Sequence, residues 1–367
     1  MTPRFLQRRR ASAAAAVTLA VALALTACSS SSAAPAASGD AGSPSAAPVT
    51  TLRVGFFPNL THAPAYVALQ EGYFKDSLGQ VGVKVAPTLF NAGPEAVTAL
   101  FADSIDIAYV GPNPTVQAWT QSKGEAVTVI SGAASAGAAL VVSSDITSAA
   151  DLKGKTIATP QLGNTQDVAA KYWLKQQGYN VSSDGSGDVT VINASNSDIV
   201  TAFQNGDISG AWVPEPYATS LEQSGGKVLV DEASLWPKGQ FVTTDVVVRS
   251  QFLADHPDVV EAFLTANVEA LKLIDSDPAQ AKSDFNAGLQ SLTGSPLDTA
   301  LLDAAWKNVT FTADPLKATL EESAAHAVDV GLLDQSEIDA AGGFDGLYDL
   351  TLLNKVLKQQ KLDQVAS

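Results

Sequence analysis

The sequence has a single cysteine, Cys28, and three histidines in 367 residues. One thiol forms no disulfide within a chain, and a thiolate metal site needs further cysteine or histidine ligands nearby. His62, His256 and His326 are far apart and show none of the spacings used by metal sites. The sequence therefore predicts no cofactor, no metal and no disulfide framework, and packing must stabilise the folded part.

Motifs of the common enzyme classes are also missing. The sequence contains no HExxH, P-loop or GxSxG pattern. Residues 224–227 match SxxK, but the SDN and KTG companions of that enzyme class are absent. We therefore expect a protein that is not an enzyme, and an SxxK-type enzyme remains the distant alternative.

Basic residues are scarce: 22 lysines and arginines stand against 38 acids, a net charge of −16. Four of the basic residues lie in residues 1–27, so removal of that segment leaves 18 against 38, or −20. Such a surface repels phosphate backbones and anionic lipid headgroups. The sequence predicts no nucleic-acid partner, and an anionic ligand would have to be held by local dipoles.

The amino terminus has the composition of an export signal. Four arginines, the last of them Arg10, precede an apolar run at residues 13–25, which is shorter than the roughly 20 residues of a membrane span. Residues 25–28, Leu-Thr-Ala-Cys, resemble the lipobox of bacterial lipoproteins. We expect residues 1–27 to be a lipoprotein signal peptide and Cys28 to carry the lipid, which alone holds the protein at the membrane, outside the cytoplasm. An ordinary secretory signal is the alternative, and the general or twin-arginine export route stays open.

Residues 28–51 consist mostly of serine, alanine, proline and glycine, which favours a flexible linker. The folded part is predicted to begin at Leu52. It is long enough for two domains with their own cores.

An internal repeat predicts the architecture of that folded part. Residues 98–114 and 201–216 both run from Thr-Ala through isoleucine to Ala-aromatic-Val and a proline-containing loop, at an offset of 103 positions. The same offset pairs the apolar segments that begin at Arg53 and Thr156. Each half reads as strand, helix, strand, helix, strand, the order of a parallel α/β layer. Two such layers facing each other form a cleft.

Two segments are predicted to cross between these halves. The small-residue run at residues 131–139 leads out of the first half, and the β-branched segment at residues 241–248 reads as a strand that returns. We therefore expect lobe I at residues 52–139 plus 244–367, lobe II at residues 140–243, and a two-strand hinge between them. A monomer is expected.

The chain resembles the substrate-binding proteins of ABC importers for sulfonates, taurine and nitrate, from Leu52 to about Leu357. The resemblance rests on segments 52–55, 91–94, 105–111, 150–155, 212–217 and 256–257, in this order and spacing. It implies the type II periplasmic-binding-protein fold, an α/β fold with a ligand cleft between two lobes. It also implies capture of a small anion or zwitterion, an alkanesulfonate or taurine, and delivery to the membrane subunits of an ABC importer. The same fold binding nitrate or a pyrimidine precursor of thiamine is the alternative.

Five loops are predicted to meet at the cleft, at residues 58–62, 91–95, 111–115, 161–166 and 213–217. They contain no lysine or arginine, and the first four precede helices, whose free N–H groups bind oxyanions. Helix capping is the ordinary role of these residue types. The candidate ligand-binding residues come from these loops, together with Ser135 at the hinge and Trp212 just before the last loop. They are Asn59, Thr61, His62, Asn91, Gly111, Asn113, Thr115, Ser135, Gln161, Gly163, Asn164, Thr165, Trp212 and Glu215.

Glu215 distinguishes between ligand classes. Where relatives that bind taurine often have a Trp-Asp-Pro-Tyr loop, residues 212–217 place Glu215 between two prolines. A carboxylate in an anion site is favourable only if the ligand also carries a cation, such as the ammonium of taurine. The alternative is that Glu215 caps a helix or bridges the lobes.

Overall fold

The computed structural model describes residues 48–366. The predicted signal peptide, the predicted lipidation site Cys28 and residues 28–47 of the predicted linker lie outside these residues. The strands are β1 (Thr51–Phe56), β2 (Lys84–Leu89), β3 (Ile107–Val110), β4 (Val127–Ala136), β5 (Ala138–Val142), β6 (Thr156–Thr159), β7 (Thr190–Asn193), β8 (Gly210–Pro214), β9 (Lys227–Asp231), β10 (Val242–Arg249) and β11 (Val309–Phe311).

The helices are α1 (Ala63–Gln70), α2 (Tyr73–Gln80), α3 (Gly93–Phe101), α4 (Pro112–Gln121), α5 (Thr165–Gln176), α6 (Asn196–Asn205), α7 (Tyr217–Gln223), α8 (Ser250–Asp255), α9 (Pro257–Ser276), α10 (Pro278–Thr293), α11 (Thr299–Ala305), α12 (Lys317–Asp329), α13 (Gln335–Ala340) and α14 (Thr351–Gln359). Within residues 48–366, none of these helices is both long and apolar enough to cross a membrane.

The strands form two sheets with the same internal order. The first is β2-β1-β3-β10-β4-β11 and the second is β7-β6-β8-β5-β9. In each sheet the first three strands are parallel, and the fourth, β10 or β5, runs antiparallel to its neighbours. The carboxyl ends of the parallel strands therefore lie at one edge of each sheet, where ligands bind in α/β layers. The repeat seen in the sequence is a repeat of topology.

The chain passes between the sheets twice, at Gly137 and between β9 and β10. Gly137 adopts a φ of 76°, and a Cβ there would lie 2.6 Å from the Cγ2 of Val309. The run at residues 131–139, predicted to be the crossing, mostly continues β4, because its small residues pair with both β10 and β11. The crossing itself occupies a single residue.

Each sheet is buried on both faces by helices. One face of the first sheet packs against α1, α2, α9, α10 and α14, and the other against α3, α4, α12 and α13. The second sheet lies between clusters centred on Trp212 and Val213, which are adjacent in β8 and point to opposite faces. Burial of each large apolar side chain contributes about 1.5–3 kcal/mol, so both sheets are rigid platforms for their loops.

The helical region that follows β1 consists of a 3₁₀ turn and two helices. A 3₁₀ turn occupies Leu60–His62, α1 follows, and Gly72 connects α1 to α2 with a φ of 77° rather than ending the helical region. Strand β1 begins at Thr51, the last residue assigned to the linker. The C-terminal helices pack on the first sheet.

Candidate functional site

A buried cavity lies where the carboxyl ends of the parallel strands of the two lobes face each other. Loops that follow β1, β2 and β3 line one side, and loops that follow β6, β7 and β8 line the other. The cavity holds about 20 Å³, room for about one or two water molecules. The lining residues are Phe57, Asn59, Thr61, His62, Asn91, Ala92, Gly93, Gly111, Pro114, Pro160, Asn164, Thr165, Gln166, Asn196, Pro214 and Thr243.

Half of the predicted site residues lie at this cavity. They are Asn59, Thr61, His62, Asn91, Gly111, Asn164 and Thr165. All except Asn91 are buried. The predicted site residues at the cavity come from four of the five predicted loops, and Pro214 of the fifth loop also lines it.

The lining includes no charged side chain. The one titratable group is His62, whose Nδ1 accepts a hydrogen bond from the backbone N–H of Phe57 at 3.3 Å. Burial lowers the pKa of His62 to about 3, so the ring is neutral at pH 7 and carries its proton on Nε2. The site offers neutral hydrogen-bond donors and acceptors in largely buried surroundings.

The charge state of His62 predicts a pH dependence of stability. Its pKa falls from about 6.5 in the unfolded chain to about 3 in the folded protein. Between these values the unfolded chain binds a proton that the folded protein does not, so stability falls as the pH falls from 6.5 towards 3. His62→Gln has no such group. We therefore expect its unfolding free energy to fall less steeply with falling pH than that of the wild type, by up to about 1.4 kcal/mol per pH unit. Urea unfolding between pH 4 and 7 measures this dependence, with His256→Gln as the control. The same slope of unfolding free energy against pH in His62→Gln and in the wild type would contradict the prediction.

The helix N-termini at the cavity differ in how many free backbone N–H groups they have. Helices α3 and α4 begin without a side-chain cap, so their first N–H groups are not used by their own residues. Prolines 112 and 114 nevertheless remove two donors from α4, and the N–H of Thr115 bonds to Gly111. Helix α5 is capped by Asn164, whose Oδ1 accepts the N–H of Asp167 at 2.9 Å. The α3 terminus thus supplies more free N–H groups than α4 does.

Two asparagines at the cavity carry unused hydrogen-bonding capacity. The amide oxygens of Asn59 and Asn196 are buried and have no partner within residues 48–366. A buried unpaired amide is costly, so such groups are satisfied by water or a ligand. Asn59 belongs to lobe I and Asn196 to lobe II, and a ligand group that donates hydrogen bonds to both amide oxygens would contact both lobes.

The comparisons with known proteins agree with this geometry. The sequence profile of the NMT1-like family matches residues 45–285. The chain belongs to the NMT1-like family. It is 34% identical over 212 residues to the taurine-binding periplasmic protein of Escherichia coli K12, a match that spans 56% of this chain and 62% of that protein.

Solved structures share the fold of this NMT1-like protein. The periplasmic nitrate-binding protein NrtA from Synechocystis PCC 6803 superposes with a TM-score of 0.71 at 17% identity, over 85% of this chain and 89% of NrtA. The alkanesulfonate-binding protein SsuA from Xanthomonas axonopodis pv. citri, bound to MOPS, gives 0.63 at 20% identity, over 84% and 97%. The predicted type II periplasmic-binding-protein fold, with its two α/β lobes, is confirmed.

Asn113 and Thr115 do not line the cavity of this NMT1-like protein. The Nδ2 of Asn113 donates to the carbonyl of Ser323 at 3.0 Å, and its Oδ1 accepts from the Ser323 hydroxyl at 2.7 Å. Thr115 donates its hydroxyl to the carbonyl of Gly111 within its own helix. Both side chains form hydrogen bonds with the protein itself, so the prediction that they bind a ligand in the cleft is wrong.

Ser135 and Trp212 are also corrected. The Ser135 hydroxyl accepts the N–H of Phe241 and joins β4 to the start of β10. Trp212 is fully buried in lobe II, and its indole N–H donates to Oε2 of Glu232 at 2.6 Å. A residue in the middle of a strand points into the core on one face or the other, which places Trp212 away from the cleft.

Gln161 and Gly163 contact the opposite lobe rather than the cavity. The Nε2 of Gln161 lies 3.4 Å from Oε1 of Glu95, and the carbonyl of Gly163 accepts from Nε2 of Gln117 at 3.0 Å. Gly163 has a φ of 73°, which favours glycine. These contacts hold the lobes together at the rim of the cavity.

Glu215 caps a helix and bridges the lobes instead of facing the ligand. Its carboxylate accepts the N–H and hydroxyl of Thr219 at the start of α7, at 3.1 and 2.9 Å. It also accepts Nδ2 of Asn308, from the segment before β11, at 2.6 Å. With all these donors neutral, burial raises the pKa of Glu215. The ammonium role is therefore corrected in favour of the capping and bridging alternative.

Asn196, with Gln166 and Thr243, is one of three polar cavity residues that sequence reasoning missed. The signal was available, because the 103-residue offset pairs Asn196 with Gly93, in a loop that was predicted. Both residues begin a helix after the second strand of their lobe, α3 or α6. Extending the repeat to every loop would have placed a sixth segment at the cavity.

Proposed function

We propose that this protein is the extracytoplasmic solute-binding component of an ABC importer and that it captures a small sulfonate, either an alkanesulfonate or taurine. The observation that carries the proposal is the cavity between the lobes, which is lined by amides, hydroxyls, backbone and the neutral ring of His62, without a cationic side chain. A sulfonate has a spread, weakly hydrated charge, which neutral donors and helix N-termini hold well. The likeness to a taurine-binding protein supports the same ligand class.

The same proposal assigns a role to the amino-terminal segment. Cys28 would be lipidated after removal of residues 1–27, and the lipid would keep the protein at the outer face of the cell membrane. The membrane subunits of the importer are its proposed partners, and it binds without catalysing a reaction. Mass spectrometry of the membrane fraction tests the anchor. The wild-type protein should be found there, and Cys28→Ser should be released from it.

Taurine and other sulfonates would enter only when the lobes separate. The cavity holds about one or two water molecules, less than any sulfonate requires. Contacts between the lobes, such as Gln117 to Gly163 and Asn308 to Glu215, stabilise the closed form. A ligand that touches both lobes favours that form through its differential affinity. The hinge at Gly137 and before β10 is where the chain would bend.

A substitution at Gly111 tests this closure. Gly111 has an ordinary φ of −75°, but a Cβ there would overlap Oγ1 of Thr165 on the other lobe. We expect Gly111→Val to hold the lobes apart and to weaken ligand binding by about 1–3 kcal/mol, the usual cost of overpacking. Calorimetric titration measures the affinity, and adding Thr165→Ala should recover part of it.

The matched control is Gly79→Val, an exposed glycine of α2 with no atom near its Cβ position. It should bind with wild-type affinity. Wild-type affinity in Gly111→Val as well would mean that the lobes do not close at this contact.

Thermal-shift measurements with a ligand panel test the proposed cargo. Taurine, ethanesulfonate, nitrate, sulfate and an aminopyrimidine would be compared, since tight binding stabilises by RT ln(1 + [L]/Kd). The largest shift should come from a sulfonate. A shift with the aminopyrimidine alone would refute the proposal.

Nitrate is the second candidate because of the size of the cavity. An anion of four heavy atoms needs less separation of the lobes than taurine does, and the nitrate-binding NrtA has the same fold. A thiamine precursor is not favoured, because Trp212 and Glu215, the aromatic ring and the acid that could bind such a pyrimidine, do not line the cavity.

A further inference from the structure

A second cavity, of about 240 Å³, lies between the lobes and shares no lining residue with the first. Helix α12 of lobe I contributes two residues to it. Helix α5, the residue after it and the segment between β9 and β10 contribute the rest from lobe II. The lining residues are Ala169, Tyr172, Trp173, Gln176, Gln177, Glu232, Leu235, Trp236, Glu322 and His326. We call this cavity the aromatic groove.

Aromatic rings form the walls of the groove. The rings of Tyr172 and His326 stack across the lobes with centroids 3.6 Å apart and an angle of 15° between their planes. The Trp236 ring lies 5.4 Å from the same histidine. The faces of tryptophan and tyrosine carry negative potential and attract cations, most strongly where water is excluded.

Glu232 supplies a carboxylate at the base of the groove. It is 2% exposed and accepts the indole N–H of Trp212 at 2.6 Å. It forms no ion pair within the described part of the chain. Burial raises its pKa to about 7. A buried carboxylate without a cationic partner is unfavourable, and a cation in the groove would remove that cost.

The protein itself does not provide this cation. The lining has no lysine or arginine, and burial lowers the pKa of His326, which keeps its ring neutral at pH 7. Glu322 adds a second carboxylate, which is exposed. The groove therefore combines aromatic walls and acidic groups around an open volume.

We infer that the aromatic groove binds a small organic cation, an alkyl- or arylammonium compound, held by the aromatic walls and by the carboxylate of Glu232. This site is separate from the sulfonate cavity and carries the opposite ligand charge. Because α12 belongs to one lobe and α5 to the other, the occupant would contact both lobes. Such a ligand would favour the closed form together with the sulfonate.

Calorimetric titration with choline tests the inference. Its uncharged isostere, 3,3-dimethylbutan-1-ol, has the same shape, so the comparison on wild-type protein isolates the charge. We expect saturable binding of one choline per chain, at least about tenfold tighter than the alcohol, from the cation–aromatic and charge-assisted contacts. Absence of choline binding, or equal affinities for the two compounds, would overturn the inference.

Two variants locate the binding. Glu232→Gln keeps the shape but removes the charge, and Trp236→Leu removes a wall of the groove; each should weaken choline binding by about tenfold or more. Glu222→Gln removes an exposed carboxylate in the same lobe and should leave it unchanged. Circular dichroism checks that each variant is folded. Unchanged choline binding in both groove variants would contradict the assignment, and the sulfonate panel gives its answer independently.

Discussion

Asn59→Asp is expected to weaken sulfonate binding by about a thousandfold at pH 7. The side chain is 6% exposed and lines the cavity between the lobes, so a residue at this position would lie beside a bound ligand. Aspartate has nearly the same shape, so the change adds a negative charge beside an anionic ligand. Two like charges about 4 Å apart repel by about 4 kcal/mol at the effective dielectric of a partly buried site, which corresponds to three powers of ten.

Calorimetric titration of wild-type protein and Asn59→Asp with taurine and with ethanesulfonate measures this loss. Asn205→Asp, an exposed change at the end of α6, makes the same difference in net charge and should bind as the wild type does. A loss of less than about tenfold in Asn59→Asp would remove Asn59 from the anion site. Tighter binding in the variant would reveal a cationic ligand instead. The experiment thus separates ligand charge from ligand shape.

The two-lobe architecture was predictable because the same pattern of strands and helices occurs twice in the sequence. An offset of 103 residues relates β1, β2 and β3 to β6, β7 and β8, and buried parallel strands have nearly continuous apolar sequences. Loops after such strands converge by topology alone. All five predicted loops contribute to the lining of the cavity for that reason, and this could be predicted without knowledge of side-chain positions.

The roles of single polar residues were not predictable in the same way. Asn59 and Asn113 both lie at the start of a helical segment, but only Asn113 finds a partner, Ser323, which is 210 residues away in sequence. Glu215 likewise meets Asn308 through packing of the lobes. No local pattern contains those partners. Trp212 was misplaced for another reason, since strand residues alternate in direction and the sequence did not say which face was open.

A buried ion pair behind the cavity was also missed. Lys171 and Asp167, one turn apart on α5, are 1% and 0% exposed, with Nζ 2.8 Å from Oδ2. Lys171 also donates to the carbonyl of Ser183. Asp167 accepts the N–H of Gly163 at 2.9 Å, and its own N–H bonds to Asn164. The pair thereby fixes the loop that carries Asn164 to the cavity.

Removal of the lysine should destabilise the protein strongly. Lys171→Met leaves Asp167 buried, with neutral donors such as the Thr159 hydroxyl and the amide of Asn193. We expect a loss of about 3–5 kcal/mol in unfolding free energy, because a buried charge without its partner keeps its desolvation penalty. Urea unfolding measures the loss at pH 7.

The double variant Asp167→Asn/Lys171→Met separates the pair from the loss of side-chain packing. It removes both charges, so it should be more stable than Lys171→Met alone, as neutral replacements of buried pairs often are. The surface control is Lys153→Met, whose 74% exposed side chain lies 3.9 Å from Asp188 and should change stability by less than about 1 kcal/mol. If Lys171→Met matches this control, the Lys171–Asp167 pair does not hold the loop. If it is destabilised and ligand affinity falls as well, the pair supports binding by fixing the loop that carries Asn164 to the cavity.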